Sequence, residues 1–351
     1  MSDTHCQTAV SGAASVLQLP YPYLLFLGDA TEAAYAKTAY GLRDWAPERC
    51  IGEWSCTSST LSTGLPRMTP REARMRGARG LVIGIANMGG IIGESWVPLL
   101  VEALEAGLDI VSGMHVKLAT VPQLQAAATR CGRQLIDIRT PPPNIPCGTG
   151  AKRSGKRLLT VGTDCALGKK YTALAIARAF KARGREADFR ATGQTGILIS
   201  GGGMPMDAVI ADFEAGAAEL LSPAANAAHW DVIEGQGSLF HPAYAAVSLG
   251  LLHGSQADVI VVCHQPGRKY VLGHDDYELP SIPETIDLNL RLGKRTNAAI
   301  RCGGVSLNTA HLEPAAAREL MAQESARLGL PVADPMRPDA NFERLIDSCL
   351  A

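Results

Sequence analysis

The fold is decided by residues 157–170, which read RLLTVGTDCALGKK. The apolar run at residues 157–161 predicts a β-strand, and the amphipathic pattern that begins near Gly168 predicts a helix. A glycine-rich turn between a strand and a helix lets consecutive backbone N–H groups point inward, and the helix N-terminus adds positive potential. The stretch therefore predicts a phosphate-binding loop. The residues that we expect to contact the phosphates lie in the turn and at the helix start: Gly162, Thr163, Asp164, Cys165, Gly168, Lys169, Lys170 and Thr172.

This loop departs from the common phosphate-loop pattern at two points. The spacing between Gly162 and Gly168 is one residue longer than usual, and Lys170 stands where a serine or threonine usually holds Mg²⁺. Because a lysine cannot coordinate a cation, the loop favours phosphate binding and disfavours metal-assisted hydrolysis of a triphosphate.

Around this loop, short apolar runs alternate with longer amphipathic ones, which is typical of βαβ units and a parallel sheet. The sequence thus predicts the α/β class. In the first half, strands are expected at residues 24–27, 81–85, 109–111 and 135–138, and helices at 96–106 and 121–129. In the second half, further strands are expected at residues 187–190, 232–234, 259–263 and 304–307.

The segment 141–155, PPPNIPCGTGAKRSG, contains consecutive prolines and then glycines, which neither a helix nor an interior strand accepts. We therefore predict a linker there. The predicted organisation is a flexible leader at residues 1–20, a first domain at 21–140, this linker, and a second domain at 156–351.

Composition narrows the class of protein. Charged residues are 19% of the 351 residues and the formal net charge is -1, which gives no electrostatic basis for binding nucleic acid or an anionic membrane. The N-terminus lacks the basic region of a secretory signal, and no uninterrupted apolar run reaches about 18 residues. The nine cysteines form no CxxC pair. We expect a cytoplasmic protein with reduced thiols and small-molecule partners, either monomeric or homo-oligomeric.

Polar residues follow several of the predicted strands. Glu234 ends one strand, His241 follows it, and His264 and Arg268 follow another. In an open parallel sheet the carboxyl ends of the strands line the ligand crevice, so these side chains are expected beside the phosphate loop. Glu234 would serve there as a metal ligand, as a base, or as an anchor for loop hydrogen bonds.

Several motifs together resemble those of the D-glutamate N-acetyltransferases, a bacterial and archaeal family long described as a domain of unknown function. The resemblance runs from about residue 23 to the C-terminus. The motifs that carry it are residues 84–90 GIANMGG, 106–115 AGLDIVSGMH, 162–169 GTDCALGK, 191–196 ATGQTG, 207–219, 233–242 IEGQGSLFHP and 251–255 LLHGS.

The resemblance implies a Rossmann-like N-terminal domain followed by a P-loop NTPase-like parallel-sheet domain. It also implies transfer of an acetyl group from acetyl-CoA, as co-substrate, to the amine of a D-amino acid, D-glutamate above all. On this interpretation the loop holds the phosphates of coenzyme A, and no metal site is expected.

Amide formation needs a base for the substrate ammonium and donors for the oxyanion. We expect Glu234 or His241 to be the base and backbone N–H groups at residues 235–238 to be the donors. The other candidate substrate-binding residues are Arg190, Gln194, Gln236, Ser238, His264 and Arg268, with Lys269 as a further cation. Cys165 offers a rival mechanism, because a thiol at a helix N-terminus can carry an acyl group covalently.

Two alternatives remain open. The loop is also similar to that of dethiobiotin synthetase, which would imply an ATP- and Mg-dependent ligase or kinase, although Lys170 argues against it. A nucleotide-binding regulatory protein without turnover is the third possibility. In the first domain, residues 84–90 resemble a dinucleotide fingerprint only loosely, and Asn87, Ser112 and His115 are expected to line the cleft between the domains.

Overall fold

The computed structural model describes residue 17 and residues 19–56, 60–85 and 87–351. Most of the predicted leader therefore lies outside the described residues, as does Ala86 of the 84–90 motif.

The first half forms a five-stranded parallel sheet with the strand order β2-β1-β3-β4-β5. The central β1 and β3 are entirely buried, as expected for parallel strands that are covered on both faces. The strands are β1 Tyr23–Phe26, β2 Cys50–Trp54, β3 Gly80–Ile83, β4 Asp109–Ser112 and β5 Leu135–Asp137. The α-helices are α1 Lys37–Trp45, α2 Pro70–Met75, α3 Val97–Glu105 and α4 Pro122–Cys131.

The second half forms a six-stranded parallel sheet with the order β13-β12-β9-β6-β8-β7 and a short antiparallel hairpin, β10-β11. The strands are β6 Lys156–Gly162, β7 Ala187–Arg190, β8 Trp230–Ile233, β9 Val259–His264, β10 Tyr270–Val271, β11 His274–Glu278, β12 Arg301–Leu307 and β13 Val332–Ala333. The α-helices are α5 Lys169–Ala182, α6 Gln194–Ser200, α7 Glu214–Leu221, α8 Ala245–Ser255, α9 Ile282–Gly293, α10 Pro314–Leu328 and α11 Ala340–Leu350.

Both parallel sheets confirm the predicted α/β class. Every strand expected from the apolar runs is present within a few residues of its predicted bounds. Strand β6 lies in the interior of its sheet, between β9 and β8, so the loop that follows it emerges at the middle of the sheet's carboxyl edge.

Helix α5 has two buried faces. One face packs Ile176 and Phe180 onto the second sheet, where the Phe180 ring lies 5.1 Å from that of Trp230. The other face, which includes Leu174, joins a core that also contains Leu42 of the first domain. Burying each large apolar side chain contributes roughly 1.5–3 kcal/mol, so this shared core holds the two domains against each other.

Aromatic stacking reinforces that contact. The rings of Trp45, at the end of α1, and Tyr171, at the start of α5, are stacked with their centroids 5.8 Å apart. The first domain thus covers the start of the helix that follows the predicted phosphate loop. Among the described helices, none is both long and apolar enough to cross a membrane.

Candidate active site

The predicted phosphate loop connects β6 to α5 through two residues with positive φ. Ala166 has φ 53° and Gly168, at the N-terminal end of α5, has φ 107°. Gly168 adopts a conformation that an L side chain rarely tolerates. No described side chain caps this helix end, so the N–H groups of its first turn remain open to an anion.

Lys169 is folded back into this loop. Its Nζ donates a hydrogen bond of 2.7 Å to the main-chain oxygen of Asp164, and the residue is buried. Burial lowers the pKa of Lys169, and the surrounding acidic groups oppose that shift. Lys169, which was expected to reach a phosphate, therefore lies within the loop. Its hydrogen-bond partner there is an uncharged main-chain oxygen.

Asp164 bonds the segment around β10 to the phosphate loop. Its buried carboxylate accepts from the backbone N–H of Cys165 at 2.6 Å, from Arg268 Nη1 at 2.9 Å and from the N–H of Leu272 at 2.9 Å. Arg268 also donates to the Cys165 carbonyl at 2.8 Å. Asp164 and Arg268 thus hold the β10-β11 hairpin over the loop. The carboxylate and the guanidinium form an ion pair with each other.

Glu234 lies directly after β8 and is buried. Its Oε2 accepts from the N–H groups of Thr192 at 2.9 Å and Gly193 at 3.1 Å. Among the described residues, none donates a hydrogen bond to Oε1. Burial raises the pKa of Glu234, and the charge of Lys170, the two N–H donors and the charge of Lys169 oppose this shift. One oxygen is an anchor, and the other is available to act as a base.

The orientation of His241 limits its chemistry. Its Nδ1 accepts from the backbone N–H of Ala243 at 3.1 Å, so the neutral ring carries its hydrogen on Nε2. Nε2 is buried without a hydrogen-bond partner among the described residues and lies 3.9 Å from Asp164 Oδ1. Burial lowers the pKa of His241. The ring therefore presents a hydrogen-bond donor to the phosphate loop. The sequence had suggested His241 as one of two candidate bases.

The same orientation bears on a cluster formed by Asp164, Cys165 and His241. One ligand atom from each residue lies within 4.8 Å of the others. Because the ring nitrogen that faces the cluster carries hydrogen, it offers neither a lone pair to a metal nor a base to the thiol. Burial also raises the pKa of Cys165, which opposes the covalent route.

Other predicted residues meet at the ends of β6, β8 and β9. Thr163 Oγ1 lies 3.0 Å from His264 Nδ1, and Ser238 Oγ donates to the Thr163 carbonyl at 3.2 Å. Gln236 Nε2 donates to Thr192 Oγ1 at 2.9 Å, beside Glu234. The convergence of strand ends that the sequence predicted is therefore present.

Two predicted residues point elsewhere. Thr172 is buried, and its Oγ1 lies 2.8 Å from Ser306 Oγ of β12, so it does not face the phosphate loop. Arg190 is held by Asp231, with 2.7 Å between Nε and Oδ1, and is not brought to the Glu234 carboxylate.

Lys170 and Gln194 are turned toward the first domain. The Lys170 ammonium lies 4.5 Å from the centre of the Tyr171 ring and would be 3.8 Å from a Cβ at Gly41 of α1. The Gln194 side chain leaves no room for a Cβ at Gly113, in the loop after β4. A larger residue at position 113 would displace the Gln194 side chain.

The first-domain residues expected in the cleft mostly stabilise their own loops. Asn87 exchanges two hydrogen bonds of 3.0 Å with the backbone of Ile91, and Ser112 Oγ accepts from the Met114 N–H at 3.1 Å. His115 is exposed.

Sequence reasoning missed Gly196. A Cβ there would collide with Glu234 Oε2, so a glycine is needed for the carboxylate to reach its two N–H donors. Gly196 ends the 191–196 motif, but that motif gave no reason to assign a role to this glycine.

Known families and proteins match the chain along nearly all of its length. Residues 146–345 match the P-loop domain of DUF1611, a domain of unknown function, and residues 48–141 match its N-terminal Rossmann-like domain. These matches confirm the predicted order of a Rossmann-like domain and a P-loop domain.

Two curated proteins are each 48% identical to the chain, and each is named D-glutamate N-acetyltransferase. The protein from Tritonibacter scottomollicae aligns over 94% of this chain and 98% of its own length. The protein from Pseudoalteromonas sp aligns over 92% and 97% respectively. The crystal structure of a DUF1611 family protein from Anabaena variabilis is 33% identical, with a TM-score of 0.83 over 93% of this chain and 99% of that one.

Proposed function

The chain belongs to the DUF1611 family and is an N-acetyltransferase, and we propose that acetyl-CoA is its donor and D-glutamate its acceptor. The family resemblance predicted from the sequence motifs is confirmed by the two relatives of the same name. The identity of donor and acceptor is our inference from those names and from the chemistry of the loop and of Glu234.

The loop supports coenzyme A as the ligand. Coenzyme A carries a pyrophosphate and a 3′-phosphate, which suit the open N–H groups at the start of α5 and the ammonium of Lys169. Lys170 stands where a metal-binding hydroxyl is usual, and the hydroxyl of Thr172 is bonded to Ser306. These residues favour the binding of phosphates without the transfer of a phosphoryl group.

Glu234 supports amine acylation. Its Oε1 would take a proton from the substrate ammonium, after which the nitrogen lone pair attacks the thioester carbonyl carbon. The C–S bond then breaks, and the second proton that the nitrogen loses on becoming an amide passes to the departing sulfur, so that coenzyme A leaves as the thiol. The observation that carries this assignment is the carboxylate itself, which is buried at a strand end beside the loop and anchored through only one oxygen.

The oxyanion donors would come from the segment after β8 and from His241. The Gly235 N–H is already bonded to Thr160 Oγ1 at 2.9 Å, which leaves the N–H groups of residues 236–238 as the backbone candidates. His241 Nε2, with its hydrogen facing the loop, is the side-chain candidate.

The test is release of coenzyme A thiol from acetyl-CoA in the presence of EDTA, measured against a panel of D- and L-amino acids, with mass spectrometry of the product. We expect turnover with D-glutamate and an N-acetylated product. The proposal fails if no amino acid accelerates thiol release, or if product forms only when ATP and Mg²⁺ are added.

A further inference from the structure

Two lysines from different domains lie at the same junction, Lys170 at the start of α5 and Lys37 at the start of α1. The Lys170 ammonium approaches α1 at Gly41, where a Cβ would be 3.8 Å from Nζ. Lys37 is four residues before Gly41 and therefore shares its face of the helix. The positive charge of Lys37 contributes to lowering the pKa of Lys170, after the larger effect of burial.

The junction also includes the loop that holds Glu234. Thr38 Oγ1, next to Lys37, lies 3.2 Å from Thr195 Oγ1 on α6. Thr195 follows Thr192 and Gly193, whose N–H groups bind the Glu234 carboxylate. Lys170 acts electrostatically on Glu234, and Lys37 acts on Lys170. A Cβ at Gly41 would lie 2.9 Å from Thr195 Cγ2 and 3.8 Å from Lys170 Nζ, so the Lys170 ammonium lies between the loop that binds Glu234 and the face of α1 that carries Lys37.

These two ammonium groups are available to a ligand. In the part of the chain that the structure describes, neither one forms an ion pair or donates a hydrogen bond to a protein group. The arginines that the sequence predicted as substrate-binding residues are bonded to carboxylates of the protein instead. Arg268 is bonded to Asp164, and Arg190 is bonded to Asp231. An acidic amino acid carries two carboxylates, which call for two cations.

We propose that Lys170 binds the α-carboxylate of the acidic acceptor and Lys37 binds its side-chain carboxylate. The inference rests on the proposed function, in which Glu234 contacts the α-amino nitrogen. The α-carboxylate and the amino nitrogen are attached to the same carbon. The α-carboxylate therefore lies near Glu234, and we assign it to Lys170, which is the lysine closer to Glu234. Lys37 is matched to the distal carboxylate, and the acceptor site is complete only with a residue from each domain.

The test compares D-glutamate with D-glutamine, which has the same shape without the second charge. In Lys37→Met we expect KM for D-glutamate to rise roughly tenfold, the effect of losing a charge-assisted hydrogen bond, with KM for D-glutamine unchanged. In Lys170→Met, KM should rise for both substrates. Lys37→Arg should restore part of the preference for D-glutamate, and KM for acetyl-CoA should be unaffected in Lys37→Met.

The matched control is Lys294→Met, an exposed lysine at the end of α9. It should keep the wild-type ratio of the two KM values, and thermal unfolding of each variant reports whether it is folded. The proposal is overturned if Lys37→Met and Lys37→Glu both keep the wild-type preference for D-glutamate. If the wild type acetylates no amino acid, the proposed function fails, and equilibrium binding of D-glutamate and D-glutamine to the same variants decides the lysine pair by itself.

Discussion

Lys169 Nζ donates a 2.7 Å hydrogen bond to the main-chain oxygen of Asp164, so the loop lysine is bonded to its own loop. A phosphate that enters the loop competes with this carbonyl for the ammonium. Because a phosphate oxygen is charged and a carbonyl oxygen is not, the phosphate forms the stronger hydrogen bond. The loop is therefore arranged to exchange an internal partner for a ligand.

Lys169→Met removes the cation and keeps a side chain of similar length. We expect the affinity for coenzyme A to fall roughly tenfold to a hundredfold, measured by calorimetry without magnesium. The matched control is Lys181→Met, an exposed lysine on the same helix that lies 3.9 Å from Asp188. Equal loss of affinity in both variants would contradict the assignment of Lys169.

Glu234→Gln should lower kcat by about two to four orders of magnitude, because the amide cannot accept the substrate proton. Its oxygen can still accept from the N–H groups of Thr192 and Gly193, so we expect thermal stability to change little. Full turnover in this variant at saturating substrates would remove Glu234 from the mechanism.

The pH dependence of the wild type follows from the same residue. A base must be ionised, and burial raises the pKa of Glu234 above the ordinary glutamate value. The rate should therefore fall as pH falls through that raised pKa, at a higher pH than an exposed glutamate would give. In Glu234→Gln this acidic limb of the kcat profile should be missing.

Variants of His241 distinguish whether this residue acts as a hydrogen-bond donor or as a base. His241→Ala should lower kcat roughly tenfold to a hundredfold by removing one oxyanion donor. His241→Gln should recover part of the loss, because the glutamine amide nitrogen takes the place of Nε2 and donates without being a base. Long-range ¹H–¹⁵N correlation spectra should place the ring hydrogen on Nε2. A hydrogen on Nδ1, or a glutamine variant as impaired as the alanine variant, would contradict the donor role.

Gly196→Ala tests the position of Glu234 without altering its charge. The added methyl group meets Glu234 Oε2 and should displace the carboxylate from its two N–H donors. Since misplacing a catalytic group by about 1 Å can cost a hundredfold in rate, we expect kcat to fall by roughly that factor. The affinity for coenzyme A should be unchanged. A parallel loss of coenzyme A binding would mean that the substitution disturbs the whole loop.

The sequence predicted which strand ends meet, because parallel order brings carboxyl ends to one edge. The contacts of Thr163 with His264 and of Thr192 with Glu234 are of this kind. It did not predict the hairpin strand β11, whose residues HDDYE lack an apolar alternation.

The sequence also could not predict side-chain directions that depend on distant partners. Thr172 was expected at the phosphates, but its hydroxyl meets Ser306, 134 residues further along the chain. Arg190 is turned to Asp231, 41 residues away. Lys37 gave no local signal at all, because its significance arises only when α1 packs against the second domain. The pattern of apolar residues along the chain predicts the strands of the sheet, whereas the directions of these side chains depend on tertiary packing.

The most direct test of the proposed function is a crystal structure of the protein with coenzyme A and D-glutamate bound. We expect phosphate oxygens of coenzyme A within hydrogen-bond distance of Lys169 Nζ and of the first N–H groups of α5, with the thiol and the substrate amine beside Glu234. Coenzyme A phosphates bound elsewhere while Lys169 keeps its bond to the Asp164 carbonyl, or a thiol out of reach of Glu234, would contradict it.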